Sequence, residues 1–207
     1  MTSTTTKLKQ LKSYSEELGL DLNKVNGRFE WFIASVLFAK RISTDISKKT
    51  FNRLRQENLT TPQALLEAGW DTLVEVLDSG GYVRYDFSTA STLLKIAADL
   101  TERYGDLDCI HARAESPRQL ERMLMEFKGV GPVGVSIFLR EMRGIWDKAN
   151  PAPSPLAVQI AQKLNSTRIK DVESQLVRLH LEYCKKHACN FCPVQSVCLV
   201  SREKGLH

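Results

Sequence analysis

Leu124 to Leu139 reads LMEFKGVGPVGVSIFL and divides into two short helices joined by Gly129-Val130-Gly131. Leu124 and Phe127 face a core from the first helix, and Val135, Phe138 and Leu139 do so from the second. Two glycines one residue apart allow a sharp turn and a close approach of the backbone to another molecule. Pro132 takes the first helical position, where its fixed φ already suits a helix. Amides exposed at such a helix start can hold an anion, a phosphate for example. An ordinary corner of an all-α core would carry the same pattern, so the decision rests on the rest of the chain.

Working outward, almost every segment reads as helix. Phe29, Phe32, Ile33, Val36 and Leu37 repeat at the spacing of a buried helical face. Ser43 or Thr44 caps the next helix, with Ile46, Phe51 and Leu54 inward and its lysines outward. Thr61-Pro62 opens a helix that ends at Gly69; another starts at Asp71, with Leu73, Val74, Val76 and Leu77 apolar, and stops at Gly80-Gly81. The glycine- and aromatic-rich loop GGYVRYDF, Gly80 to Phe87, precedes a helix capped by Ser88 that runs to about Tyr104. Ser116-Pro117-Arg118-Gln119 has the form of a capping box and launches the first hairpin helix. Ser154-Pro155 opens LAVQIAQKL, and Asp171 opens a last long helix to about Tyr183. No stretch alternates at period two long enough for a strand. The predicted class is all-α.

The chain has 207 residues and is 43% apolar, enough for a real core in one large domain or two small interlocked ones. No apolar run approaches the roughly 18 residues of a membrane span, and the opening MTSTTTKLKQ lacks the apolar core of a secretory signal. The expectation is a cytoplasmic, nucleoid-associated monomer with no membrane partner. The net charge of +5 is mild, but its distribution is uneven. Lys40, Arg41, Lys48, Lys49, Arg53 and Arg55 stand against Asp45 alone, leaving the remainder near neutral. Such a cluster tracks phosphates, or else forms a solvated helix face.

Four of the five cysteines fall within fifteen residues: Cys184, Cys189, Cys192 and Cys198, spaced C-x4-C-x2-C-x5-C. Four thiols in one tight loop of a cytosolic chain suit a metal centre better than disulfides. Zinc is the rival, with His187 able to stand in as a ligand, but zinc usually takes two separated C-x2-C pairs. Only one close pair is present here, which favours a [4Fe–4S] cluster held by one thiolate at each iron. Cys109, outside the group, reads as a small buried hydrophobe.

The hairpin and the cysteine spacing together resemble the endonuclease III-like DNA glycosylases of the helix-hairpin-helix superfamily. The likeness extends from about Phe29 to Cys198. It implies a six-helix bundle over 28–140 and a second lobe from 1–27 and 141–207 that carries the cluster loop. It also implies a catalytic cleft between the lobes, with double-stranded DNA, damaged or mismatched, as partner. Gly129, Val130 and Gly131 would grip DNA backbone, and the basic run with Lys40, Arg41, Lys48 and Lys49 would hold duplex DNA with them. Arg41, Ile42 and Arg84 match the loops that wedge into the duplex, and Lys185 and Lys186 match the basic cluster loop. Members of the family flip a base out of the stack to reach its glycosidic bond.

The likeness breaks at the chemistry. Bifunctional members carry a lysine two residues after the second hairpin glycine, where this chain has Val133. Monofunctional members keep an aspartate at the start of the following helix, where this chain has Ser154. A hydroxyl brings no charge to an oxocarbenium-like sugar. Asp147 and Asp86 are the distant substitutes. The first gap in the cysteine loop is also two residues shorter than the family's usual six. Excision by a monofunctional route and lesion recognition without excision therefore both stay open, and a Schiff-base lyase is disfavoured.

Overall fold

A computed structural model of the chain describes residues 4–200. Every regular element among them is helical, and no strand occurs among the described residues. They form two compact units, 18–151 and 4–17 with 152–200.

The larger unit holds α3 (Val25–Phe38), α4 (Thr44–Gln56), α5 (Pro62–Ser79), α6 (Asp86–Arg103), α7 (Leu107–Arg113), α8 (Pro117–Met125) and α9 (Pro132–Met142). Its centre is aromatic. Phe32 of α3 meets Phe138 of α9 edge-on at 5.1 Å and Phe127 at 5.8 Å. The Trp31 indole N–H donates to the Phe138 carbonyl at 3.3 Å, which ties α3 to α9. Phe29, Phe32, Ile33, Val36 and Leu37 are all buried, as their spacing predicts. Helix starts follow capping chemistry: Ser43, Thr61, Asp106 and Ser116 each accept a backbone N–H from the first turn they precede.

Some details depart from the sequence reading. The helix expected to start at Ser88 begins at Asp86, because Tyr82 locks the preceding loop to the core. The Tyr82 ring is fully buried and its hydroxyl donates to the Leu37 carbonyl at 2.6 Å. Ser88 instead donates back to the Tyr85 carbonyl at 3.0 Å. The pause expected at Gly69 is a kink: its φ of +74° is left-handed, which glycine adopts without strain. Residues 18–27 and 141–151 belong with the bundle rather than with the second unit. Arg55 and Arg28 hold the first segment by donating to the Leu18 and Leu22 carbonyls at 2.8 and 2.9 Å. Trp146 anchors the second, packing edge-on to Phe138 at 5.5 Å and donating to Asp108 at 2.9 Å.

The smaller unit comprises α1 (Thr4–Lys9), α2 (Tyr14–Glu17), α10 (Pro155–Lys163) and α11 (Glu173–Leu179). Leu8, Ile160, Val172, Leu176 and Val194 form its core. Arg178 binds α2 by pairing with Glu17 at 2.8 Å while its guanidinium lies over the Tyr14 ring. The last long helix is composite: a 3-10 turn at Lys170–Val172, then α11, then a wide π turn over His180–Cys184.

Candidate functional site

The hairpin forms as its sequence predicts, with α8 and α9 joined by the glycine turn. The Val130 N–H donates to the Phe127 carbonyl at 3.0 Å, and the Val130 side chain is buried. Gly129 has a left-handed φ of +91°, and a Cβ built there would sit 2.3 Å from Thr92 Oγ1. Gly131 differs. It is the N-cap of α9 at φ −104°, and a Cβ there would meet nothing within 4 Å. No side chain caps α9, so its first amides are left to water or to an outside acceptor. They open on a cavity of about 230 Å³ lined by Val36, Ala39, Lys40 and residues 129–134. Lys40 is the only ionisable residue in that lining.

The basic run divides by its contacts. Lys40 is half-buried at the cavity, whereas Arg41 and Lys49 are exposed and take part in no ion pair among the described residues. Ile42 is half-buried beside them, its N–H donating to the Lys40 carbonyl at 2.8 Å. Lys48 is engaged within α4 by Asp45 at 3.1 Å. Arg53 donates to Gln56 at 3.1 Å, and Arg55 reaches Glu30 at 3.7 Å while lying over Phe51. Three of the six thus serve α4 and its anchorage. Arg84 is exposed on the 80–85 turn, with its guanidinium 5.5 Å from the Tyr85 ring centre.

Val133 lines the same cavity as Lys40 and is 59% exposed, so its position is open and carries no amine. In the smaller unit Ser154 caps α10, accepting the Ala157 N–H at 3.3 Å. Its own N–H donates to Glu173 Oε1 at 2.9 Å, which places a buried carboxylate beside this helix start. Asp147 belongs to the larger unit and pairs with His111 Nε2 at 2.7 Å; that hydrogen bond holds its carboxyl below the usual range. Asp86 begins α6 and accepts the Phe87 N–H at 2.7 Å.

Cys184, Cys189, Cys192 and Cys198 converge on one small cavity of about 30 Å³ in the smaller unit. Ile160, Leu164, Leu179 and Val194 provide apolar walls, and Lys163 contributes a cation. Burial pushes the Cys184 thiol up, with Lys163 acting against it, and burial likewise pushes up Cys192, opposed by the Val194 backbone. The π turn carries Cys184 to the cavity, and a 3-10 turn, Cys189–Phe191, carries Cys189 and leads directly into Cys192. The four thiols share a cavity without being drawn together as ligands of a single ion: among the described residues, no three His, Cys, Asp or Glu side chains form such a group. Lys185 is exposed, whereas Lys186 pairs with Glu182 at 2.9 Å. Cys109 is half-buried rather than buried, with its thiol bonded to Asp106 and thereby pushed up.

Sequence reasoning missed Lys163 and Phe191. Lys163 looks like an ordinary last-turn lysine of α10, and only the fold brings it to the thiols. Phe191, between two cysteines, is 83% exposed, and an aromatic inside a cysteine loop is ordinarily read as packing. No known protein-family model matches this chain, and no curated protein matches it significantly.

Proposed function

We propose that this chain is a DNA-binding repair protein of the endonuclease III type, built on the two-lobed helix-hairpin-helix glycosylase fold with an iron–sulfur lobe. The observation that carries the reading is the uncapped start of α9, opening with Gly131 onto a cavity that Lys40 lines. Backbone amides at a helix start and a lysine beside them suit a phosphate. Arg41 and Lys49 supply further outward charge for the flanking phosphates. Arg41, Ile42 and Arg84 stand on turns, where a side chain can enter a space left by an extruded base.

We assign the four cysteines to a [4Fe–4S] cluster because all four line one apolar-walled cavity. Zinc is the lesser alternative. Cys184, Cys189, Cys192 and Cys198 would hold the group, and its contribution would be to fix the loop that bears Lys185, Lys186 and Phe191 against DNA. Lys163 would sit beside the thiolates and offset their charge.

Val133 and Ser154 favour a second reading, recognition of a lesion without excision. Val133 supplies no amine to attack the sugar, and Ser154 supplies no negative charge to support it. An alkylated purine already carries positive charge and leaves readily, so a monofunctional route through binding and flipping remains the first reading. The test is free-base release from duplexes holding oxidised pyrimidines, uracil, mismatched thymine or adenine, and alkylated purines, with nicking scored before and after alkali. Release with nicking only after alkali supports the glycosylase. Tight binding without release supports the recognition protein. Neither binding nor release on any duplex overturns both.

A further inference from the structure

α5 and α6 carry an exposed aromatic pair outside the lining of the α9 cavity. Trp70 and Phe87 are 40% and 61% exposed, and their rings lie 5.4 Å apart at 37°. Both are held in place. The Trp70 indole N–H donates to the Ser91 hydroxyl at 3.0 Å, and that hydroxyl donates to the Phe87 carbonyl at 2.9 Å. The kink at Gly69 places Trp70 at the start of the second half of α5. Exposed aromatic side chains that are already ordered lose little entropy on binding and make strong anchors. The other two tryptophans, Trp31 and Trp146, are buried.

The charge on α5 is one-sided. α5 contains Glu67, Asp71, Glu75 and Asp78 and no lysine or arginine. Asp71, Glu75 and Asp78 are exposed and recur at the spacing of one helical stripe that starts next to Trp70. None of the three is in an ion pair among the described residues. Phosphates would be repelled by this stripe, whereas Arg41 before α4 and Lys49 within it present exposed positive charge. Arg84, three residues before Phe87, is the exception, and Asp86 stands between the two.

We infer that Trp70 and Phe87, with the acidic stripe of α5, form a docking surface for another protein. Its partner is a segment that presents a large apolar side chain flanked by lysine or arginine. The aromatic pair supplies the anchor, and Asp71, Glu75 and Asp78 select the sign of the flanking charge and steer the encounter. Trp70 and Phe87 are not among the residues that line the α9 cavity.

The test is NMR titration of the whole protein, following the Trp70 indole N–H signal. Three probes are used: a leucine–lysine amphipathic peptide, its leucine–glutamate counterpart and a single-stranded oligonucleotide. The lysine peptide is expected to shift the Trp70 signal and to bind at least tenfold more tightly than the glutamate peptide. Asp71→Lys/Glu75→Lys, which keeps the aromatic pair, should weaken it at least tenfold, and Phe87→Ser should do the same without altering duplex-DNA affinity. An unmoved Trp70 signal with the lysine peptide overturns the inference. Equal binding of the two peptides, binding insensitive to charge reversal, or a Trp70 shift caused by the oligonucleotide would do so as well.

Discussion

A methyl group added at Gly129 would press on Thr92, and the left-handed φ there strains any other L residue. Gly129→Ala should therefore destabilise the larger unit by about 3 kcal/mol, read by urea unfolding. Gly131→Ala should cost under about 1 kcal/mol, because the backbone is extended and the space is open. The same substitution puts a methyl group where phosphate is proposed to sit, so it should lower DNA affinity with the fold intact. Equal loss of stability in the two variants would contradict this assignment. Tyr82 makes a different forecast. Burial pushes its phenol above the ordinary tyrosine value, so the folded state keeps a proton that the unfolded state releases. That stability is fully present below about pH 10 and is lost as pH rises beyond it. Tyr82→Phe should cost about 1 kcal/mol near neutrality through the lost bond to Leu37, and should flatten the alkaline decline.

At the scale of elements, α9 offers a sharp test of the missing chemistry. Val133 is exposed at the cavity, so Val133→Lys enters without repacking. The variant should form a borohydride-trapped adduct with duplexes bearing an abasic site, well above the parent protein. No gain would mean that this face of α9 is not presented to the sugar. Helix type, the hairpin and most caps were legible because each depends on a few neighbouring residues: Ser43, Thr61, Ser116 and Ser154 cap as read. The misread start of α6 depends on Tyr82 reaching Leu37, a contact across 45 positions that no local pattern carries. The basic run likewise looked uniform in the sequence. Only packing separates Arg55, bound to Leu18 and Glu30, from Arg41 and Lys49.

At the scale of the whole molecule, the two candidate features occupy two units, the hairpin in 18–151 and the thiols in 152–200. Burial holds Cys184 and Cys192 in their protonated forms more firmly than free thiols. Loading a metal centre must expel those protons, so loading should weaken as pH falls, followed by visible absorbance after reconstitution with iron and sulfide. Cys192→Ser should abolish that absorbance and lower the unfolding midpoint of the loaded protein, while protein with zinc and no visible absorbance would overturn the cluster. The central claim, that the α9 cavity and its neighbouring basic residues hold duplex DNA, is met most directly by affinity measured across a salt series. The account predicts that Lys40→Ala/Arg41→Ala/Lys49→Ala weakens binding to every duplex and makes the slope of log affinity against log salt shallower by about 2 to 3. Affinity and slope that match those of the unaltered protein would contradict it.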